Sequence, residues 1–254
     1  MVPRAPAFVR VITVALCLVG VLGAVQRTVI ATLRQPRDAS GFTPIERTNA
    51  RIMARVAGIV PGTPRHADLM AGMLEFERKY EGNRTLILLH VIPGGLILLF
   101  APLQFSGRIR RRYTAYHRWA GRVLLVAVAI SGIAAFAFGL FMPFGGWLES
   151  AAVMLFGTLF FYSGARAWVA IRRRDVATHR EWMTRMFAVA VGIATTRVIS
   201  IVLGALFTLT LREAFVISLW AGFTSSVVAA EFIIYRARPH RGAIRIPAIA
   251  SDTL

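Results

Sequence analysis

The sequence predicts an all-α fold: a polytopic membrane helix bundle of about six transmembrane helices, with helices two–three and four–five forming a parallel hairpin repeat. Three observations predict it. Hydrophobic residues make up 56% of the 254 residues and charged residues 17%, where a soluble domain carries about 25% charged residues. The mean hydropathy is +0.61. The apolar residues fall in six runs, about 8–30, 85–106, 119–141, 149–171, 183–207 and 213–235. Each holds about twenty residues, the length that crosses a hydrocarbon core of about 30 Å as a helix. Finally, the arginines alternate between the connecting segments.

The first run follows Arg4 and Arg10. Its small residues Gly23 and Ala24 form a poor cleavage motif, because Leu22 occupies the position where a small side chain is required, so residues 1–31 are expected to be a signal-anchor helix. Residues 32–83 differ in kind. They hold Asp38, Glu46, Asp68, Glu75, Glu77 and Glu81 among several arginines and are broken by Pro36, Gly41, Pro44, Pro61, Gly62 and Pro64. Thr63-Pro64 reads as an N-cap followed by proline at the first helical position. Met70, Met73, Leu74 and Tyr80 then recur at near-helical spacing, which predicts one short amphipathic helix.

Residues 84–236 form a five-helix membrane core. Pro93-Gly94-Gly95 is tolerated within its first helix because neighbouring helices satisfy freed backbone groups. Small residues (Gly132, Gly139, Gly157, Gly164, Gly192, Gly204) mark close helix approaches. Residues 237–254 are a basic tail.

Orientation follows from the loops. Arg108, Arg110, Arg111, Arg112, Arg118 and Arg122 mark one side, as do Arg172, Arg173, Arg174, Arg180 and Arg185, and then the tail. The opposite short loops, 142–148 and 208–212, hold only Arg212. Arginine in short loops stays cytoplasmic. The expected arrangement is therefore a multi-pass protein of the cell membrane with both termini cytoplasmic and the 32–83 segment outside.

Charge and cysteine exclude several classes. The net charge is +18 and the pI about 11.7. The arginines sit in short loops rather than on a basic face with interleaved aromatics, so the charge reads as topogenic and no nucleic acid partner is expected. The bilayer is the expected partner. The single cysteine, Cys17, offers neither a disulfide nor a thiolate metal site. No nucleotide loop, nucleophile–base set or HExxH motif is present.

Residues 110–118 and 172–180 both read RRRxxxxHR, each followed by a tryptophan (Trp119, Trp182). Topology explains the arginines. It does not explain His117 and His179, which stand at equivalent positions of the two copies. Two imidazoles at one depth on neighbouring helices suit a bis-histidine haem b, with a transition-metal site as the variant; the alternative is an interfacial anchor or cap. His90 lies roughly 9 Å along a helix that starts near Arg84. A haem held by His90 at that depth would need a methionine such as Met154 as its other ligand. Arg197 has no adjacent acid and lies well inside the fifth helix, where insertion costs about 2.5–3.5 kcal/mol. Its candidate roles are an anion partner or a structural pair with Glu149, Glu213 or backbone. Gln104, Arg166 and Glu231 lie nearer the inner face and are expected to snorkel.

His90-Val-Ile-Pro-Gly-Gly95, Ala101-Pro-Leu-Gln-Phe105, His117-Arg-Trp-Ala-Gly-Arg122 and His179-Arg-Glu-Trp-Met-Thr-Arg185 together resemble the membrane proteins of domain of unknown function 2306 (DUF2306). The resemblance covers roughly residues 85–197. It implies a bacterial multi-pass membrane protein and supplies no reaction. Three readings stay open: a haem b or metal redox bundle using His90, His117, His179 and Arg197, a non-catalytic scaffold or assembly factor that meets a protein partner through residues 32–83, and a small-molecule transporter.

Overall fold

A computed structural model describes residues 7–33 and 35–238; Arg4 and the tail beyond Arg238 lie outside the described residues. Nine helices are present among them, with no strand. α1 (Ala7–Thr32) leads to a pair of shorter helices, α2 (Pro44–Val56) and α3 (Pro64–Glu81). α4 (Arg84–Gln104), a single-turn α5 (Gly107–Arg112), α6 (Thr114–Phe141), α7 (Trp147–Arg172), α8 (Val176–Leu206) and α9 (Leu211–Ala237) follow. Six of these, α1, α4, α6, α7, α8 and α9, are long and apolar enough to cross a membrane.

α8 is the hub. It pairs most extensively with α9, then with α7, and also touches α1 and α4; α4 in turn packs on α1 and α6. One core joins five helices through Ile97, Val128, Phe156, Phe160, Met186, Val189 and Leu219. Cys17 is buried with Leu98 and Val191, tying α1 to α4 and α8. Small side chains set the spacing. Phe161 of α7 lies over Gly132 of α6, where a Cβ would come within 2.5 Å of the ring, and Phe136 of α6 lies over Gly157 of α7, at 2.7 Å. The two rings stack with centroids 5.7 Å apart. Bundle cohesion in lipid rests on such close contact, since hydrocarbon solvates leucine as well as protein does. The outward faces are correspondingly apolar: Phe8, Leu22, Val126, Ile133, Val228 and Phe232 are all exposed.

α2 and α3 form a hairpin clamped over one end of the bundle. We call this the capped end, and the opposite end, which carries both RRR sequences, the arginine-rich end. Arg65 donates to the last-turn carbonyls of α8, Gly204 at 2.7 Å and Phe207 at 2.8 Å. Lys79 donates to Pro143 O at 2.5 Å. Arg27 pairs with Glu77, and Arg212 with Glu75. Thr63 caps α3 as expected.

One expectation is corrected, and the two arginine turns prove to differ. The 32–83 segment contains two helices rather than one. α2 opens with a capping box, Thr43 with Glu46, and proline at its start, a pattern present in the sequence as Thr-Pro-x-Glu. Its mixed polar composition hid the buried stripe of Glu46, Ala50 and Ala54. The two RRRxxxxHR turns also differ in backbone. Arg110, Arg111 and Arg112 lie in α5, started by Ser106, whose Oγ accepts from Ile109 N. In the second copy α7 runs on to Arg172, Arg174 adopts a left-handed conformation with φ 61, and Asp175 caps α8 directly.

Candidate functional site

Despite the different turns, His117 and His179 occupy the same place. Each is the fourth residue of its helix, and its N–H makes the first backbone bond, to Tyr113 O and Asp175 O, both at 3.0 Å. The spans predicted at 119 and 183 start earlier, so both histidines are helical rather than loop residues.

At this arginine-rich end His179 and Arg110 are electrostatic neighbours of His117, and Arg180 is a neighbour of Arg110. His179 Nδ1 lies 2.9 Å from Ala167 O on α7. A carbonyl only accepts, so Nδ1 carries a hydrogen, and in the neutral ring Nε2 presents a lone pair. The neighbouring groups are short of partners. His117 Nδ1, both side-chain polar atoms of Gln104 and Arg180 Nε account for four of the seven buried, unpartnered side-chain polar atoms among the described residues. Gln104 Oε1 lies against Gly121, one turn beyond His117, at 3.8 Å from where a Cβ would stand. Gln104 therefore does not snorkel: the last residue of α4 turns its amide into the junction. Arg110 and Arg180 make no ion pair among the described residues. Burial, followed by the charges of Arg180 and Arg111, pushes the Arg110 pKa down. Two imidazoles, a primary amide and guanidinium groups without an ion pair thus lie at this end, where the neighbouring acids Asp175 and Glu181 are engaged by Thr178 N and Arg238.

The other two predicted residues lie towards the capped end. His90 and Ser131 clasp α4 to α6. The imidazole donates from Nδ1 to Ser131 O at 2.9 Å, and Ser131 Oγ donates to His90 O at 2.8 Å. Gly94 leaves room for that hydroxyl, at 3.3 Å from where its Cβ would stand, while Gly95 lets α1 approach, with Ala24 Cβ at 2.9 Å. The Pro-Gly-Gly step thus serves two contacts. Arg197 is a neighbour of His90. It pairs with neither Glu149, which accepts from Gly145 N at 2.6 Å, nor Glu213, which accepts from Thr210. Arg166 stacks on Trp182, and Glu231 is bound by Arg185 at 2.5 Å. Met154 on α7 is 45% exposed on the outer surface of the bundle, whereas the His90 imidazole is turned inward onto Ser131 O.

The four predicted residues therefore separate into two pairs, His117 with His179 and His90 with Arg197, at different levels. No group of three or more His, Cys, Asp or Glu gathers as a metal ion would require among the described residues. Sequence reasoning missed Ser131, Arg110 and Arg180 as members of these clusters. A serine in an apolar helix, or an arginine in a basic turn, carries no signal until its neighbour is known.

The family described as "Predicted membrane protein (DUF2306)" matches residues 87–234, from early in α4 to the end of α9. The chain belongs to the DUF2306 family. It is a multi-pass membrane protein, and the family region contains His90, His117, His179 and Arg197, while α1 and the α2–α3 hairpin precede it. No curated protein and no solved structure matches the chain.

Proposed function

We propose that this DUF2306 protein is a membrane redox protein whose arginine-rich end would hold a b-type haem through His117 and His179. The observation that carries the reading is the His179 imidazole, a neighbour of His117 and held by Nδ1–H to the Ala167 carbonyl, so that Nε2 is bare in the neutral ring. That is how ligating imidazoles are oriented and made more basic, through a backbone acceptor on the far nitrogen. Arg110 and Arg180 supply the positive charge that propionates require, and Gln104 brings an unpartnered amide to the same junction. A haem in this place supplies one-electron transfer. The chain's own groups set orientation, charge and exclusion of water.

With this reading goes the topology that puts both termini and the arginine-rich end in the cytoplasm of a bacterial cell membrane. Arginine-dense short loops support it.

Titration of the detergent-purified protein with haemin tests the reading. Expected are saturation near one haem per chain and the spectrum of two imidazole ligands, with His117→Ala and His179→Ala each losing the low-spin form. Wild-type protein that gains no more Soret absorbance than a detergent blank overturns it.

A second reading, partner binding through the capped end, is favoured by Ile52, Val56 and Val60, which are more than half exposed beside the bundle. Deletion of residues 44–60 should then release a co-purifying protein.

A further inference from the structure

Arg197 is a cation without a counter-charge. Among the described residues its guanidinium makes no hydrogen bond and no ion pair, and its electrostatic neighbours are Arg27 and His90, neither of them an acid. Glu77 is bound to Arg27. α1 nevertheless makes room for the group: a Cβ at Gly23 would overlap the Arg197 guanidinium. The recess thus receives the arginine instead of excluding it.

The place of this guanidinium says where a partner would come from. Arg197 is exposed, and so are Val198 and Ile201 beside it, at 41% and 46%. It opens towards hydrocarbon. Towards the capped end the way is taken by the Arg27–Glu77 pair and by Gln26, which donates to Asn49 at 2.5 Å. Gly23 lies four residues before Arg27, so the guanidinium sits about 6 Å, or one helical turn, deeper than that pair. A lipid phosphate drawn inward along this exposed face would reach it beside the apolar side chains, whereas a dissolved anion would have to pass the Arg27–Glu77 pair. Guanidinium grips two phosphate oxygens at once, and an ammonium does not.

We propose that Arg197, seated in the Gly23 recess, binds the phosphate of an anionic lipid in the leaflet on the capped side. Arg27, held by Glu77, and His90, held by the Ser131 carbonyl, are its electrostatic neighbours, which leaves Arg197 as the free cation of the recess among the described residues, and the lipid chains run along α1 and α8.

Native mass spectrometry of the purified full chain tests this, using equimolar phosphatidylglycerol and phosphatidylcholine in the detergent. One phosphatidylglycerol per chain is expected to survive activation in wild type. Arg197→Gln should lower that retention about tenfold, as loss of a charge-assisted bidentate contact does, while Arg236→Gln at the far end leaves it unchanged. Should Arg197→Gln fail to fold, Arg197→Lys keeps the charge and should hold the lipid several-fold less well. Equal retention by wild type and the folded Arg197 variant overturns the proposal, as does equal retention of the two lipids. Displacement of the lipid by millimolar inorganic phosphate would overturn the lipid source in favour of a dissolved anion.

Discussion

His90 and Ser131 each bond to the other's backbone: the imidazole donates to Ser131 O at 2.9 Å, and the hydroxyl donates to His90 O at 2.8 Å. The pair links residues 41 apart in sequence and fixes the register of α4 against α6. Ser131→Ala removes only the hydroxyl bond. It should lower the stability of the detergent-solubilised protein by about 0.5–1.5 kcal/mol, the range of single polar contacts between membrane helices. His90→Phe removes the imidazole bond instead, keeps the residue-90 carbonyl as acceptor for the hydroxyl, and should cost a comparable amount. Unfolding in a denaturing detergent, followed by circular dichroism, measures both. No change in either variant would contradict the clasp.

The α8–α9 seam should tolerate almost no added volume at Gly222. A Cβ there would stand 2.6 Å from Thr196 N, which is backbone and cannot swing away. Gly222→Ala is expected to destabilise by about 1–3 kcal/mol, the usual cost of overpacking, and Gly222→Val by more. By contrast Gly82, with open space at its Cβ position, should accept alanine with little change. The same unfolding assay distinguishes them.

Arg65 ties the α2–α3 hairpin to the bundle through two carbonyls at the end of α8. Arg65→Ala leaves those acceptors without their cation, at about 1.5–3 kcal/mol for hydrogen bonds from a charged group, discounted for the exposure of the site. Amide exchange should quicken in α2, α3 and the last turn of α8, and stay unchanged at the arginine-rich end. Exchange rising everywhere would mean that the hairpin is part of the bundle's global stability instead.

Acid should loosen the start of the hairpin. The Ser40 hydroxyl, then Arg47, holds Asp38 down to about 2 from an ordinary 3.8. A depressed carboxylate stabilises the fold above its ordinary pKa, and that contribution is lost as pH falls from about 4 towards 2. Proteolytic nicking within residues 35–43 by an acid-active protease should rise across this window in wild type. Asp38→Asn should be nicked readily at pH 4 as well. A wild-type cleavage rate independent of pH between 4 and 2, after correction for the protease's own profile, would contradict the assignment.

The membrane helices were legible because lipid demands long apolar runs, and hydropathy reads those directly. Their ends were not. α6 and α8 begin at Thr114 and Val176, earlier than the apolar runs at 119 and 183, because their first turns hold arginine, histidine and a capping Asp175. Hydropathy scores such turns as loop. In the site, residue type singled out His90, His117, His179 and Arg197, since polar groups at membrane depth are costly and few. The pairing was not legible. It rests on contacts between helices, such as His179 with Ala167 O and Arg197 with Gly23, and on Gln104 turning inward rather than out. The doubled RRRxxxxHR sequence correctly gave two histidines one helical position, yet it gave their turns a similarity that Ser106 and Asp175 remove by capping different residues.

In the proposed reading His117 and His179 would hold one haem between them. The most direct measurement is the dithionite-reduced minus oxidised spectrum of protein purified from haem-supplemented cells, with haem quantified against chain. Expected are about one haem per chain, a sharp reduced α-band, and its disappearance in both His117→Ala and His179→Ala but not in His90→Phe. A spectrum without that band in wild type, or one that survives loss of either histidine, would contradict it.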